Sequence, residues 1–350
     1  MPAVREPERA LATVDLGAIE RNCARLPKPL CAVVKSDGYG HGPVAAAALA
    51  GGATWLAVAA AAEAAELRRQ GIDVPILVMG ALTPDELRVA LKAQADVVAW
   101  TEELAEAAPR VHVKLDTGMG RLGTKDRELA LRLALRPNVV GLMTHFATAD
   151  ELGDDLFGAQ LGAFREFVGA VGRDDVTVHA ANSAAALREP ASHFDMVRCG
   201  IAIYGMDPFG VDPAAHGLEP ALSLRSWVGA VRRFEAGDSA GYGRRWSASE
   251  PTWVATVPIG YGDGWRRALT NNCDVVIRGR RHPLVGAVSM DNVTVALGPD
   301  TDVEVGDEVV LIGAQGEERI LAEEVARRLD TINYEVTCAL TPRVRRQYVP

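Results

Sequence analysis

Residues 30–42 read LCAVVKSDGYGHG, and they place a lysine where an apolar run gives way to a glycine-rich turn. A short apolar run bounded by turn residues is typical of a buried strand. Burial would lower the pKa of Lys35 and free its amine to attack a carbonyl, and pyridoxal phosphate is the cofactor most often held by such a Schiff base. Gly38, Gly40 and Gly42 would let backbone N–H groups approach an anion. A lysine that extends from a strand end into solvent is the open alternative.

Strand-like and helix-like segments alternate from this stretch to about residue 200. The strand-like segments are residues 30–34, 55–59, 75–79, 96–100, 110–116, 139–146, 177–181 and 196–199. Repeated strand–helix units predict a parallel sheet, and eight of them in about 200 residues predict a closed (β/α)8 barrel of the TIM type. Chemistry in such barrels lies at the C-terminal ends of the strands. The pattern places there Lys35, Asp116, His145, Asn182 and Arg198.

The pattern changes after Gly205. Helical spacing returns only at residues 321–329, and strand-like runs occupy residues 222–234, 252–259, 275–277, 285–288, 293–297 and 308–312. We therefore predict an α/β protein in which a barrel domain, residues 1–219, is followed by a mostly β C-terminal domain, residues 220–350.

The composition is that of an ordinary soluble globular protein, with 48% hydrophobic and 24% charged residues in a chain of 350. The net charge of −9 excludes the basic footprint of a nucleic-acid-binding protein. Residues 1–10 lack the apolar centre of a signal peptide, and no run is long enough to span a bilayer, so we expect a cytoplasmic protein without a membrane partner. Five scattered cysteines without a CxxC pair argue against a disulfide framework and a structural zinc site.

Residues 118–123, GMGRLG, match the GxGxxG pattern. They follow the fifth strand rather than the first, and no acidic residue follows at the spacing that binds a ribose, so a dinucleotide site is disfavoured. We interpret them as a tight turn that presents Arg121 to a carboxylate. Just upstream, alternation puts His112, Lys114 and Asp116 on one strand face. Lys114 either pairs with Asp116 or with an acid on the next strand, or it points inward as a partly neutral amine near Arg121.

Other strand ends also carry polar residues. His145 has no second histidine or cysteine at ligand spacing, so we expect no metal. Asn182 and Ser183 open a short helix, whose N-terminus is either a phosphate site or a plain N-cap. Gly200 and Ile201 follow the last strand, where barrels often bind phosphate through backbone N–H groups.

The C-terminal region holds a tyrosine between two glycines. Tyr242 lies in SAGYGRRW, residues 239–246, where the glycines either expose it on a loop or simply form a turn. Two further polar turns follow apolar strands: PIGYGDG, residues 258–264, and VSMDN, residues 288–292.

Together these segments resemble the alanine racemase family over residues 12–348. The matching segments, in family order, are AVVKSDGYGHG, KLDTGMGRLG, MTHFATAD, NSAAAL, VRCGIAIYG, AGYGRRW, PIGYGDGW, SMDN and TINYEV. The resemblance implies a barrel followed by a β domain, with residues 1–10 joining the β domain. It also implies a homodimer whose active site is shared between subunits, and a pyridoxal-phosphate-dependent interconversion of L- and D-alanine that supplies peptidoglycan.

The resemblance also implies roles for individual residues. Lys35 would carry the cofactor and act as one catalytic base, and Tyr242 would be the other base, supplied by the partner subunit. Arg121 and Met290 would bind the substrate. Further cofactor contacts are implied for Tyr39, Ser183, Gly200 and Ile201 at the phosphate, Arg198 at the pyridine nitrogen and His145 behind it. Supporting roles are implied for Lys114, which is often carbamylated in the family, Tyr261 and Asp291.

Some features depart from the family or leave other functions open. Pro342 stands where many members carry a tyrosine near the phosphate, and Tyr39 would then serve alone. A racemase for serine or for a broader set of amino acids is an alternative. A fold-related amino-acid decarboxylase would usually place an acid at the ring nitrogen, where this chain has Arg198. A non-catalytic cofactor carrier would lack the domain that holds Tyr242.

Overall fold

The structure is a computed structural model that describes residues 9–350. The chain divides into two compact units. One is Gly17–Glu219, and the other joins Pro220–Pro350 to the described residues up to Leu16. The sequence-based expectation that residues 1–10 join the β domain falls mostly on residues 1–8, which lie outside the described residues.

The first strand of the described residues is β1 (Leu11–Asp15), which belongs to the second unit. The chain then builds a parallel barrel sheet. The barrel strands are β2 (Leu30–Val33), β3 (Ala53–Val58), β4 (Ile76–Val78), β5 (Asp96–Ala99), β6 (Val111–Lys114), β7 (Val139–Met143), β8 (Thr177–His179) and β9 (Val197–Cys199). The helices around them are α1 (Leu16–Arg25), α2 (Ala45–Ala50), α3 (Ala61–Arg69), α4 (Pro84–Lys92), α5 (Glu102–Ala107), α6 (Arg127–Ala134), α7 (Leu156–Val171) and α8 (Ser183–Arg188).

The eight barrel strands are arranged in the order β8-β7-β6-β5-β4-β3-β2-β9. Between the two end strands, the Arg198 N–H donates to the Ala181 carbonyl at 2.8 Å and the Asp195 N–H to the Val178 carbonyl at 3.0 Å, so backbone hydrogen bonds bring the sheet close to full closure. All residues of β2, β4, β5 and β6 are buried, as expected for parallel strands covered on both faces. The predicted fold class is confirmed.

The strand ends differ from the sequence prediction where chemistry is expected. The predicted strands 110–116 and 139–146 end earlier, at Lys114 and Met143. Asp116 and His145 therefore lie on the loops that follow β6 and β7, where side chains have more freedom to point into a site.

The second unit is built on a ten-stranded sheet. Its further strands are β10 (Leu222–Trp227), β11 (Ala230–Phe234), β12 (Thr252–Val257), β13 (Asp274–Ile277), β14 (Arg280–Val285), β15 (Val293–Gly298), β16 (Glu308–Gln315), β17 (Glu318–Ile320) and β18 (Arg345–Val349). Two helices, α9 (Ala322–Arg328) and α10 (Asn333–Cys338), precede β18. The strand order is β11-β12-β15-β14-β13-β16-β10-β1-β18, with β17 paired to β16.

Two predicted strands of this unit need correction. The run 222–234 is two strands, because the chain changes partners at Val228 and Gly229: β10 pairs with β1 and β16, whereas β11 pairs with β12. The run 285–288 lies at and beyond the end of β14, which begins earlier, at Arg280. Neither β1 nor β18 was predicted from the sequence.

Candidate active site

The segment after β2 turns in the left-handed direction. Ser36, Asp37, Gly38 and Tyr39 have φ values of 55°, 52°, 58° and 54°, a conformation that costs about 1–2 kcal/mol for each residue with a side chain. The Ser36 N–H donates to Glu63 Oε1 at 2.6 Å, which ties the turn to α3. Strain of this kind is retained where the surrounding structure enforces it, often at functional sites. The turn begins at Lys35, whose side chain is half-buried.

Tyr39, Ser183 and Gly200 come together at one end of the barrel. A Cβ atom on Gly200 would lie 2.3 Å from the Tyr39 hydroxyl, so only glycine allows the phenol to approach this closely. Ser183 Oγ accepts the N–H groups of Gly200 at 3.1 Å and Ala202 at 3.3 Å. Ile201 begins a 3₁₀ turn, and the first N–H groups of such a turn have no partner within it. Because Ser183 already accepts the Ala202 N–H, the Ile201 N–H is the donor that this turn offers to an anion.

Arg198 lies on β9 with only 3% of its surface exposed. Its Nη1 contacts His179 Nδ1 at 2.8 Å, and its Nη2 donates to the carbonyls of Thr144 at 2.9 Å and Ala180 at 3.1 Å and lies 3.3 Å from His145 Nδ1. Burial lowers the pKa of Arg198 to about 10. The guanidinium therefore stays protonated at neutral pH and acts only as a donor.

Positive charge is concentrated around His145. Burial, and then the charges of Arg198, Lys114, Arg121 and Lys35, hold the pKa of His145 well below its usual value. Burial, followed by Arg198 and Arg121, lowers the pKa of Lys114 to about 8. His145 is therefore neutral at pH 7, and a minor fraction of the buried Lys114 amine is neutral there.

The GMGRLG turn wraps around the carboxylate of Asp116. Asp116 Oδ1 accepts the N–H groups of Gly118, Met119 and Gly120 at 3.0, 2.8 and 3.1 Å. These bonds outweigh burial and lower the pKa of Asp116. The carboxylate thus occupies the N–H donors that a dinucleotide phosphate would need. Within residues 9–350, no ion pair joins Asp116 to Lys114. The turn leaves Arg121 exposed.

In the second unit, Tyr261, Met290 and Asp291 lie on two loops joined by backbone hydrogen bonds. The Tyr261 N–H donates to the Ser289 carbonyl at 3.0 Å and the Gly262 N–H to the Met290 carbonyl at 2.9 Å. The ion pairs of Asp291, with Arg343 at 2.7 Å and Arg9 at 3.3 Å, hold the Met290 loop to the rest of the unit.

Tyr242 stands on a separate exposed turn of the same unit, with 75% of its surface accessible. The glycines on both sides have positive φ values, 71° at Gly241 and 72° at Gly243. This arrangement agrees with a loop that presents the tyrosine.

Sequence reasoning missed three residues: His179, which contacts Arg198, and the buried His112 and Asp96 that lie beyond His179. His179 was inside a predicted strand, and His112 shared a face with Lys114, but neither stood out as a site residue. A usable signal was Gly141 in the middle of β7, because a glycine inside a strand often marks the close approach of another group. Its absent Cβ would lie 2.1 Å from His112 Nδ1.

None of the helices described between residues 9 and 350 is both long and apolar enough to cross a membrane. Within the same part of the chain, no three His, Cys, Asp or Glu side chains are grouped so as to hold a metal ion.

Two family models match the chain: "Alanine racemase, N-terminal domain" at residues 14–208 and "Alanine racemase, C-terminal domain" at residues 221–348. The alanine racemase of Symbiobacterium thermophilum is 43% identical over 96% of this chain and 96% of that protein. The alanine racemase of Geobacillus stearothermophilus is 42% identical over 96% and 92%.

Solved structures agree with these relatives. The alanine racemase from E. faecalis has a TM-score of 0.91 and 38% identity, covering 98% of each chain. The alanine racemase from Bacillus anthracis with bound L-Ala-P has a TM-score of 0.90 and 38% identity, covering 99% of this chain and 96% of that one. Both similarities extend over nearly the whole length, so the chain belongs to the alanine racemase family.

Proposed function

We propose that this enzyme interconverts L- and D-alanine and that Lys35 and Tyr242 are its two bases, one for each face of Cα. The reaction follows from membership of the alanine racemase family, which is pyridoxal-phosphate-dependent. The observation that carries the proposal is the group of cations at the barrel strand ends. Lys114, Arg121 and Arg198 all act on His145 and make no ion pair with a carboxylate of residues 9–350. Such a group is suited to an anionic cofactor and a substrate carboxylate.

The residues present fit pyridoxal phosphate. Tyr39, Ser183 and the Ile201 N–H would hold the phosphate, with the Gly200 N–H orienting the Ser183 hydroxyl through its 3.1 Å hydrogen bond. The close approach of Tyr39 to Gly200 supports a built anion site. When bound, the cofactor supplies an aldehyde that links to an amino group and a ring that withdraws electrons from Cα. Lys35 would hold that aldehyde from the start of its strained turn.

Arg198 would donate a hydrogen bond to the ring nitrogen. An arginine gives a hydrogen bond but keeps its protons, so the ring nitrogen would remain unprotonated and withdraw electrons only moderately. This favours return of the proton to Cα over side reactions such as transamination. It also disfavours the decarboxylase alternative, which would be expected to use an acid there.

Racemisation requires that a proton leave one face of Cα and return to the other. Lys35 takes or gives it on one face and Tyr242 on the other, and the roles exchange in the reverse direction. Arg121 would bind the substrate carboxylate, assisted by a backbone group of Met290. Lys114, once carbamylated through its neutral amine, would carry a negative charge beside Arg121 and orient it. Tyr261 and Asp291 would support the Met290 loop.

The exposure of Tyr242 supports a site completed by a second subunit, because a catalytic base works best when water is excluded from it. We therefore propose a homodimer in which residues 17–219 of one subunit form the cofactor-binding barrel and residues 220–350 of the partner bring Tyr242 to it. We further propose that the enzyme is cytoplasmic and that its D-alanine supplies peptidoglycan.

The deciding experiment combines product analysis with location of the cofactor. Purified enzyme with added pyridoxal phosphate is incubated with a panel of L-amino acids, and the products are separated on a chiral column. We expect D-alanine as the main product. In parallel, borohydride reduction and peptide mass mapping should find the reduced cofactor on Lys35.

A matched pair of lysine variants controls this test. Lys35→Ala should lose both the borohydride label and racemisation, whereas Lys92→Ala, at an exposed position on α4, should retain both. A label on another residue would contradict the proposed cofactor attachment. Racemisation of serine ahead of alanine would contradict the proposed substrate.

A further inference from the structure

A line of side chains joined by hydrogen bonds crosses the barrel interior behind Arg198. Arg198 Nη1 lies 2.8 Å from His179 Nδ1, and His179 Nε2 lies 2.7 Å from His112 Nδ1. His112 Nε2 lies 3.2 Å from Asp96 Oδ2. Arg110 closes the line, since its Nε and Nη2 donate to the two carboxylate oxygens of Asp96 at 2.7 and 3.1 Å. We call these five residues the barrel relay.

The donors at both ends leave only one arrangement of protons along the relay. Arg198 can only donate, so His179 Nδ1 must accept and His179 must carry its proton on Nε2. That proton is given to His112 Nδ1, and His112 must therefore carry its own proton on Nε2 and give it to Asp96. Burial keeps the pKa of both histidines below the usual value, which agrees with neutral rings. Hydrogen bonds from His112 and Arg110 overcome burial and hold the pKa of Asp96 low, so its carboxylate is ionised.

The barrel is built to accommodate this line. His112 and His179 belong to β6 and β8, which are separated by β7. Gly141 of β7 pairs with His112, and a Cβ on this glycine would lie 2.1 Å from His112 Nδ1. The edge of Trp55 packs against the His112 ring at 5.6 Å between centroids. Polar groups are costly to bury in place of an apolar core unless all of them are paired.

We propose that Asp96 and His112 are positioning residues of this enzyme, which act through His179 to fix the direction of the Arg198 donors. The inference rests on the proposed role of Arg198 at the ring nitrogen. The carbonyls of Thr144 and Ala180 hold Arg198 Nη2, but the hydrogen bond from Arg198 Nη1 depends on which nitrogen of His179 carries the proton. If His112 lost its acceptor, its proton could move to Nδ1 and drive the His179 proton to the other ring nitrogen. Two donors would then face each other, and Arg198 would be displaced.

The first test locates protons in the unaltered holoenzyme by neutron diffraction from a deuterium-exchanged crystal. We expect deuterium on Nε2 of both His179 and His112 and none on either Nδ1. Deuterium on His179 Nδ1, or on both nitrogens of His112, would overturn the inference.

The second test uses two variants of one residue. Asp96→Asn keeps an oxygen that can accept from both His112 and Arg110, whereas Asp96→Ala removes it. With L-alanine, we expect Asp96→Ala to lower kcat about tenfold to a hundredfold, the range typical of a lost hydrogen bond to a charged group, with little change in KM. The ratio of pyruvate released to alanine racemised should rise about tenfold. Asp96→Asn should stay near the unaltered enzyme in that ratio.

Further variants separate positioning from stability. His112→Phe preserves the ring volume beside Trp55 and should behave like Asp96→Ala. His216→Phe is the control. It removes another histidine–aspartate contact of the barrel unit, between His216 Nδ1 and Asp207 Oδ2 at 2.5 Å, and should leave the pyruvate ratio unchanged. If Asp96→Ala and His112→Phe reduce only thermal stability and leave the pyruvate ratio unchanged, the two residues are structural and the inference fails. Should either not fold, the positions of deuterium in the neutron structure still decide.

Arg198→Gln distinguishes failure of this inference from failure of the proposed function. If it leaves the pyruvate ratio unchanged, the proposed role of Arg198 is wrong, even where the proton positions are as expected. If it raises the ratio while Asp96→Ala does not, the role of Arg198 stands and the positioning role of Asp96 is wrong.

Discussion

Tyr242 brings only a hydroxyl to the proposed reaction, and the residue is three-quarters exposed in the single chain. Tyr242→Phe removes the hydroxyl and little else. We expect the rate of alanine racemisation to fall by about 10²–10⁴-fold, the contribution of a positioned acid or base. The visible absorbance of the cofactor should persist, because Lys35 is intact. Tyr348→Phe, in β18, is the control for losing a phenol. Activity near normal in Tyr242→Phe, or loss of the absorbance, would show that Tyr242 is not a base.

Lys114 makes stability depend on pH in a defined direction. Burial, with Arg198 and Arg121, lowers its pKa from 10.5 to about 8. Between these values the unfolded chain binds a proton that the native protein does not, so the free energy of unfolding rises with pH on account of this residue. Below pH 8 the amine is protonated in both states. Burial of its charge beside two arginines then lowers the free energy of unfolding by up to about 3 kcal/mol.

Urea denaturation can isolate this effect by comparing the unaltered protein with Lys114→Met. We expect the variant to be the more stable below pH 8 and the difference to shrink towards pH 10. The buffers must be free of carbon dioxide, because a carbamylated Lys114 is not a buried cation and would not lower the free energy of unfolding in this way. A difference independent of pH would mean that the native amine titrates as it does in water.

At the scale of elements, the left-handed turn that begins at Lys35 is held by α3. Glu63 accepts the Ser36 N–H through Oε1 and the N–H groups of Ala59 and Ala60 through Oε2 at 2.8 and 2.9 Å. Glu63→Ala would leave these donors without their acceptor. We expect a loss of about 1–3 kcal/mol in unfolding free energy, together with weaker retention of the cofactor on dialysis. Glu66→Ala on the same helix removes only surface contacts with Arg69 and Gln70 and should change neither measurement.

The elements also show where sequence reasoning was sufficient. The barrel strands were predicted because a parallel sheet buried on both faces leaves continuous apolar runs. The conformation of residues 36–39 was not predicted, because only Gly38 among them commonly takes a positive φ. The break between β10 and β11 was missed, because their pairing partners are far away in the sequence.

At the scale of the whole molecule, the hardest contacts to predict were those between residues on strands that are far apart in the sequence. Lys35, His145 and Arg198 were found because each lies at or near the end of a predicted strand of a recognisable barrel. Asp96 and His112 were missed because their contact depends on the registers of β5, β6 and β7 around Gly141, and no local pattern reports it. Tyr242 was found by resemblance alone, since two flanking glycines describe many turns.

The proposed site shared between subunits predicts how two inactive variants behave when mixed. Lys35→Ala and Tyr242→Phe should each be nearly inactive as homodimers. In a mixed dimer, the site with Lys35 from one chain and Tyr242 from the other is intact, and the second site lacks both bases. Random exchange makes half of the dimers mixed, each with one working site of two, so activity should recover to about a quarter of the unaltered value. Mixing follows denaturation and refolding together with pyridoxal phosphate, and the double variant mixed with itself is the control. If both bases instead belonged to one chain, every mixed dimer would contain only defective sites and no activity would return.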